Sequence, residues 1–198
     1  QNTSTTAGES ERHASYVTRL VALAGKRTMI TQRDEPDGHR DTTIRARTHN
    51  PASLARPLRV AILGTGNIGT DLLMKVRRSE LLACSAFVGR RENSPGLAAA
   101  QACGVRTSSD GINYFLDNPD CFDLLFDASS ARGHAVHLPA LSPLGKRTID
   151  LTPAGLGRMC VPAVNGDDCT LEPHINMVTC GGQAAIPVAF AIAKSQLQ

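Results

Sequence analysis

Residues 59–76 read RVAILGTGNIGTDLLMKV, and this stretch decides the fold. Residues 59–63 form a short apolar run, which predicts a buried strand. Apolar residues then recur at helical spacing between Ile68 and Val76, so a helix follows the strand at once. A strand, a glycine turn and a helix in direct succession indicate the first unit of a parallel sheet.

Three glycines separate this strand from the helix in the pattern G-x-G-x-x-G. Gly64 permits a tight turn, Gly66 lets the backbone approach a pyrophosphate, and Gly69 lets the helix pack closely on the strand. The free N–H groups at the helix N-terminus also favour a phosphate. A glycine-rich turn without a ligand is the alternative, but the agreement of strand, glycines and helix favours dinucleotide binding.

The sequence after this unit continues the alternation of strands and helices. Further strands are predicted at residues 85–88, from residue 105, at residues 124–126 and at residues 148–151. Further helices are predicted at residues 96–103 and 182–197, the second of which tolerates Pro187 only within or near its first turn. The predicted fold is therefore α/β, a Rossmann-type parallel sheet with helices on both faces.

Residues 1–57 differ from the rest of the chain, because they are rich in Thr, Arg, Ser, Asp and His. They hold nine Lys or Arg, six Asp or Glu, and one apolar patch that supports a short helix over residues 13–24. This composition predicts a flexible extension, with the dinucleotide-binding domain at residues 58–198. A targeting leader is the alternative, which the six acidic residues oppose.

The charge and hydropathy of the folded part argue against two classes of partner. Residues 58–198 hold twelve basic and twelve acidic side chains, so no cationic face for nucleic acid is expected. No run of eighteen apolar residues is present, so no membrane-spanning helix is expected. These features predict a soluble, cytoplasmic protein.

The loop after the second predicted strand bears on the choice of cofactor. An acidic residue in this loop usually holds the ribose 2′-hydroxyl of NAD, whereas this chain has Arg90 and Arg91 after Gly89. Arginines attract the 2′-phosphate of NADP, so Arg91 is a candidate cofactor residue and the preference is expected to be relaxed or to favour NADP. Two solvated arginines are the alternative, which stays open.

The candidate nucleophile is one of six cysteines, no two of which have the spacing of zinc ligands. Cys180 stands between an apolar strand and the paired glycines Gly181 and Gly182, which begin a helix. A helix N-terminus stabilises a thiolate, and the glycines leave room for a substrate carbonyl and for donors to an oxyanion. A buried cysteine beside a turn is the alternative. Cys160 has no base or dipole near it in the sequence and is interpreted as a core residue.

Three other polar residues have ambiguous roles. Asp127 and Asp150 each end a predicted strand, where a carboxylate either contacts the cofactor or caps the next turn. The structural role is favoured for both. His134 falls in a helical stretch and is interpreted as a packing or surface histidine.

Four blocks of the sequence together resemble the acylating acetaldehyde dehydrogenases, which act after a 4-hydroxy-2-oxoacid aldolase in aromatic and sterol breakdown. The blocks are residues 60–73, residues 126–131 with His134, residues 149–154 through 160–162 to Asn165, and residues 176–187. In order and spacing they cover most of residues 58–198, which makes the resemblance far more specific than the glycine pattern alone.

The resemblance implies an activity and the residues that perform it. It implies that Thr65, Gly66, Asn67 and Ile68 lie against the pyrophosphate of NAD, and that Cys180 forms an acyl-thioester with the substrate. Acetaldehyde would then be oxidised to acetyl-CoA, with coenzyme A as co-substrate. An aldolase partner and an oligomeric state are also implied by the family.

The chain departs from the family in two places, which leaves two other functions open. Residues 1–57 have no recognised counterpart, and the sequence stops at Gln198, so the chain is expected to be C-terminally truncated with the substrate and dimerisation domain largely absent. A face normally covered by that domain would then be exposed. The alternatives are a cofactor-binding module with little or no turnover and a semialdehyde dehydrogenase of related fold, which uses phosphate in place of coenzyme A.

Overall fold

A computed structural model describes residues 56–196 of the chain. Within that range seven strands form one sheet, and every neighbouring pair is parallel. The strands are β1 (Leu58–Leu63), β2 (Leu82–Val88), β3 (Thr107–Ser108), β4 (Leu124–Asp127), β5 (Arg147–Asp150), β6 (Arg158–Met159) and β7 (His174–Asn176). Their order across the sheet is β3-β2-β1-β4-β5-β7-β6. Successive strands are added on one side of β1 up to β3 and on its other side from β4, so the topological switch point lies between β1 and β4, where doubly wound sheets bind their ligands.

Six α-helices occur between residues 56 and 196, five of them between strands and one after the last strand. They are α1 (Asn67–Arg77), α2 (Pro95–Ala102), α3 (Ile112–Asp117), α4 (Ala131–Leu141), α5 (Pro162–Asn165) and α6 (Cys180–Ser195). Short 3₁₀ turns cover Pro119–Cys121, Ser142–Leu144 and Asp167–Cys169. None of the helices in this range is long and apolar enough to cross a membrane.

The central strand β1 is buried on both faces of the sheet. Its residues Val60 and Ile62 belong to one core cluster with Leu73 of α1 and Leu97 of α2. The alternate residues of β1 belong to a second cluster. That cluster includes Ala61, Leu63, Phe115 of α3 and Leu141 of α4. The predicted α/β fold with helices on both faces of a parallel sheet is therefore confirmed.

The last helix differs from its prediction at its start and at its proline. α6 begins at Cys180, two residues before the predicted Gly182, because the Thr179 side chain caps it by accepting a hydrogen bond from the Gly182 N–H (3.1 Å). Pro187 consequently lies in the helix interior, so the prediction that it would lie near the first turn is wrong. Proline has no N–H for the carbonyl of Gln183 one turn earlier, and the helix continues past this gap.

α6 also has an unusual surface, because none of its described residues is buried. It exposes four large apolar side chains, Ile186, Val188, Phe190 and Ile192. The structure does not describe residues 1–55. The short helix predicted at residues 13–24 and nearly all of the extension predicted at residues 1–57 therefore lie outside the described residues.

Candidate active site

The carboxyl edge of the sheet gathers the loops that hold the candidate site residues. Because all strand pairs are parallel, the loops after β1, β2, β4, β5 and β7 all leave the sheet at this edge. The loops are joined side by side by backbone hydrogen bonds. These bonds run from Ala128 N–H to the Leu63 carbonyl (2.7 Å), from Leu151 N–H to the Asp127 carbonyl (2.9 Å) and from Met177 N–H to the Asp150 carbonyl (2.9 Å).

Two glycines, one in the loop after β1 and one in the first turn of α1, are required by close backbone contacts. Gly64 has a φ of +119°, and a Cβ at this position would overlap the carbonyl of Ala128 in the loop after β4. A Cβ at Gly69 would overlap the carbonyl of Gly64. Gly69 therefore allows α1 to start directly against the turn, as the sequence pattern predicts.

The third glycine, Gly66, faces open space at the start of α1. It is the N-cap residue of the helix, and no side chain caps the helix at this end. Gly66, Asn67 and Ile68 are exposed, the first turn holds no acidic residue, and a Cβ at Gly66 would meet no atom within 4 Å. The first N–H groups of α1 are thus open to solvent in an electropositive position, which fits the pyrophosphate of a dinucleotide.

Thr65 ties the glycine loop to the loop after β2. Its hydroxyl lies 2.9 Å and its carbonyl oxygen 3.2 Å from the hydroxyl of Ser94, which is buried. A Cβ at Gly89 would lie 2.6 Å from the Thr65 methyl carbon, so the two loops are in close contact. The loop that carries the two arginines is therefore held beside the candidate phosphate site.

Arg90 and Arg91 are both exposed in this loop. Within residues 56–196 the Arg91 side chain forms no hydrogen bond or ion pair. Its position at the end of β2 is where the ribose 2′ substituent lies in dinucleotide-binding folds. Arg91 is therefore accessible to a 2′-phosphate.

Cys180 is exposed at the first position of α6, so it is not the buried cysteine of the alternative interpretation. Cys160, in contrast, is fully buried, and burial together with the neighbouring Cys169 raises its pKa to about 12. Cys160 is a core residue, as expected. Of these two cysteines only Cys180 is exposed to solvent.

Cys180 and the glycine loop lie at the same edge of the sheet but on different strands. β7 is three strands from β1, which at the usual spacing of neighbouring strands corresponds to roughly 14 Å. The loops after β4 and β5 occupy the interval. A ligand that extends along this edge from Gly66 would pass β4 and β5 before it reaches Cys180.

A buried polar network occupies the same interval and was not predicted from the sequence. Asp127 at the end of β4 accepts hydrogen bonds from Nδ1 of His134 and of His137, both 2.9 Å long, and from the hydroxyl of Ser129. Burial alone would raise the pKa of Asp127, but these hydrogen bonds outweigh it and hold the pKa well below its ordinary range. Since a carboxylate can only accept, both histidines carry a proton on Nδ1.

The network continues from β4 to the loop that holds Cys180. His134 Nε2 lies 3.5 Å from Oδ2 of Asp150, which also accepts a 2.7 Å hydrogen bond from the side-chain amide of Asn176. His134, Asp150 and Asn176 are each at most 1% exposed. Asp127 and Asp150 therefore have the structural role favoured from the sequence. His134 packs in the core, as the sequence indicated, and also forms a hydrogen bond with Asp127.

No cluster of three or more His, Cys, Asp or Glu side chains suited to a metal ion occurs between residues 56 and 196. The carboxyl edge instead combines an open helix N-terminus after β1, an exposed thiol after β7 and a rigid polar network between them. This arrangement suits a dinucleotide and a nucleophilic cysteine acting on a small electrophile.

Comparison with known proteins gives a consistent set of sequence relatives. An acetaldehyde dehydrogenase from Spirochaeta aurantia is 56% identical over 142 residues, which are 72% of this chain and 48% of that protein. Acetaldehyde dehydrogenase 2 from Salinispora arenicola is 56% identical over 136 residues, which are 69% of this chain and 46% of that protein. The acetaldehyde dehydrogenase from Pectobacterium atrosepticum is 49% identical over 142 residues, with similar coverage. No protein-family model matches the sequence.

Solved structures give weaker matches. A probable dehydrogenase from Thermotoga maritima covers 61% of this chain and 36% of its own, with 18% identity and a TM-score of 0.48. A biliverdin reductase from Synechocystis covers 61% and 37%, with 21% identity and a TM-score of 0.47. The sequence relatives are far more similar, and the chain spans about half of their length. Over most of its length this chain is similar in sequence to acetaldehyde dehydrogenases.

Proposed function

We propose that this chain supplies the cofactor-binding and nucleophile-bearing part of an acylating acetaldehyde dehydrogenase. The observation that carries the proposal is the position of Cys180, which is exposed at the N-terminus of α6 on the same edge as the glycine loop. The names of the relatives supply the substrate, acetaldehyde. The chain spans about half of those relatives, so the activity of the whole enzyme is itself part of the proposal.

NAD or NADP is the proposed cofactor, with its pyrophosphate at the start of α1. Gly64 and Gly69 shape the turn, and Gly66 with the first N–H groups of α1, those of Asn67 and Ile68, would hold the phosphates. Ser94 fixes Thr65 in the same loop. A bound nicotinamide supplies a two-electron hydride acceptor.

Cys180 is the proposed nucleophile and later the leaving group. Its thiolate adds to the carbonyl carbon of acetaldehyde, forming a C–S bond and an oxyanion. The adduct on Cys180 would then lose hydride to the two-electron acceptor that a bound nicotinamide would supply, and the re-formed C=O bond would leave a thioester on the Cys180 sulfur. The thiolate of coenzyme A then attacks the thioester carbonyl, and the Cys180 thiolate leaves as acetyl-CoA forms.

The first turn of α6 provides donors for the oxyanion. Thr179 uses the Gly182 N–H for its cap, and the Gln183 N–H binds the Thr179 carbonyl. The N–H groups of Cys180 and Gly181 come before these bonds and remain for a substrate oxygen. A carbonyl held there would lie beside the attacking sulfur.

The test is detection of the acyl-enzyme by mass spectrometry. We expect the full chain, incubated with acetaldehyde and NAD and quenched in acid, to carry an acetyl group on Cys180. Addition of coenzyme A before the quench should remove this group, because the thioester is then transferred. Release by inorganic phosphate but not by coenzyme A would instead indicate a semialdehyde dehydrogenase.

Two variants serve as controls for this experiment. Cys180→Ala should abolish the adduct, whereas Cys103→Ala should leave it unchanged, because Cys103 lies at the end of α2 on the opposite edge of the sheet. Cofactor binding without any adduct on Cys180 would rule out the nucleophile and favour a binding module. The aldolase partner, the oligomeric state and the cytoplasmic location stay predictions.

A further inference from the structure

Val178, in the loop between β7 and Cys180, has a strained backbone. Val178 has a φ of +52° and is the one non-glycine residue with a positive φ between residues 56 and 196. A β-branched residue rarely adopts this left-handed conformation, because its side chain crowds its own backbone. The surrounding structure must therefore hold Val178 in place.

Gln183 holds the loop from the helix side. Its side-chain amide nitrogen donates to the carbonyl of Met177 (2.9 Å), just before Val178, and to the carbonyl of Cys160 (2.7 Å). Both Met177 and Cys160 are buried in the core. One side chain in the first turn of α6 thus fixes the start of the strained loop and joins the helix to the core.

Asn176 holds the same loop from the strand side. Its side-chain oxygen accepts a 2.9 Å hydrogen bond from the N–H of Val178, and its nitrogen donates to Asp150 (2.7 Å). Asp150 is itself fixed by the Thr152 N–H (2.7 Å) and faces His134. The buried network therefore ends on the backbone amide of the strained residue.

We propose that Gln183 and Asn176 are positioning residues that force Val178 into the left-handed conformation and so place Cys180 at the N-terminus of α6. Neither side chain forms a hydrogen bond with the Cys180 sulfur. The inference rests on the proposed function for its purpose, since a fixed thiol benefits a nucleophile. Its structural content is independent, because it concerns only where the sulfur is held.

The experiment compares the alkylation rates of individual cysteines in the full chain, using iodoacetamide at fixed pH and peptide mapping. We expect Gln183→Met to lower the rate at Cys180 by about fivefold, as the sulfur loses the stabilising field of the helix N-terminus. The rate at Cys103 in the same molecules should not change. Gln101→Met is the matched control. Gln101 is an exposed glutamine in α2, and its side chain donates a hydrogen bond to Thr107 in β3 and not to the loop before Cys180.

A second substitution separates positioning from general stability. Asparagine tolerates a positive φ, so Val178→Asn should remove the need for the two clamps. In the Gln183→Met background it should restore most of the Cys180 rate. On its own it should leave that rate unchanged, and a slower rate in this single variant contradicts the proposal even if Gln183→Met fails to fold.

Several results would overturn the proposal. One is an unchanged or faster alkylation of Cys180 in Gln183→Met. Another is a slow alkylation of Cys180 in Gln183→Met that adding Val178→Asn does not restore. The third is a slower alkylation of Cys180 in Val178→Asn alone. The assay needs neither aldehyde nor cofactor. A missing acyl adduct on Cys180 would therefore count against the proposed function and leave this inference standing. A Cys180 alkylation rate that is the same in Gln183→Met and in the unsubstituted chain would count against this inference and leave the proposed function standing.

Discussion

At the scale of single residues, Arg91 marks the place where the choice between two cofactors would be made. It is exposed beside the glycine loop and has no partner within the described part of the chain, so its charge is available to a ligand. The ribose of a bound dinucleotide would carry either a hydroxyl or a phosphate at this position. A guanidinium binds a phosphate more strongly than a hydroxyl, because the phosphate is negatively charged and both partners of each hydrogen bond then carry a charge.

We predict that Arg91→Asp shifts the cofactor preference toward NAD. The introduced carboxylate should repel the 2′-phosphate and accept from the ribose hydroxyl, so the ratio of the NADP to the NAD dissociation constant should rise about tenfold, or ~1.4 kcal/mol. Fluorescence titration with the two reduced cofactors measures this ratio. Arg78→Asp makes the same change of charge at the far end of α1 and should leave the ratio unchanged. An NAD preference identical in Arg91→Asp and in the unsubstituted chain would show that the arginine is merely solvated.

At the scale of elements, the strands easiest to locate from the sequence were those that contain a continuous apolar run. β1 and β4 were predicted within one residue, because strands buried on both faces consist mainly of apolar residues. β5 was also predicted within one residue, although Ile149 is its one apolar residue. β6 has two exposed residues and no hydrophobic pattern, so nothing in the sequence indicates it. The full extent of α4 was also missed, since its buried face is built from His134 and His137 and it contains Pro139.

The turn between β1 and α1 can be tested by two substitutions that differ only in position. Gly69→Ala should lower the free energy of unfolding by about 1–3 kcal/mol, because the new methyl group overlaps the Gly64 carbonyl and the helix must shift. Urea unfolding followed by circular dichroism measures the change.

Gly66→Ala should leave that free energy nearly unchanged, since its φ of −79° suits alanine and its Cβ would meet no neighbour. It should nevertheless weaken NAD binding, because the methyl group occupies the space proposed for the pyrophosphate. Equal affinity in Gly66→Ala and in the unsubstituted chain would place the cofactor elsewhere.

At the scale of the whole molecule, the parallel sheet assembles a site whose parts are far apart in sequence. The sequence alone indicated the glycine loop and Cys180, because each lies in a local strand, turn and helix pattern. It did not indicate the network of Asp127, His134, Asp150 and Asn176. That network depends on β4, β5 and β7 being neighbours, and strand order is set by packing in three dimensions.

The same network should make the stability of the fold sensitive to acid. Asp127 is held by His134, His137 and Ser129 with a pKa below its ordinary range, so the unfolded chain takes up a proton at Asp127 at a higher pH than the native chain does. Its contribution is complete above the ordinary carboxyl pKa of about 4 and is lost as the pH falls through the lower native pKa. The free energy of unfolding should therefore fall between pH of about 4 and 2, and less steeply in Asp127→Asn.

Urea unfolding at a series of pH values measures this slope. Asp123, whose pKa is lowered by its hydrogen bonds with Arg59, should keep part of the slope in Asp127→Asn. The matched control is Asp110→Asn, because Asp110 is exposed and hydrogen-bonds only within its own loop. The amide introduced by Asp127→Asn would offer one acceptor oxygen where the carboxylate offers two, so this substitution should lower the overall stability. This loss does not affect the result, because only the slopes are compared. A slope in Asp127→Asn as steep as in Asp110→Asn would mean that the charge on Asp127 does not stabilise the native network.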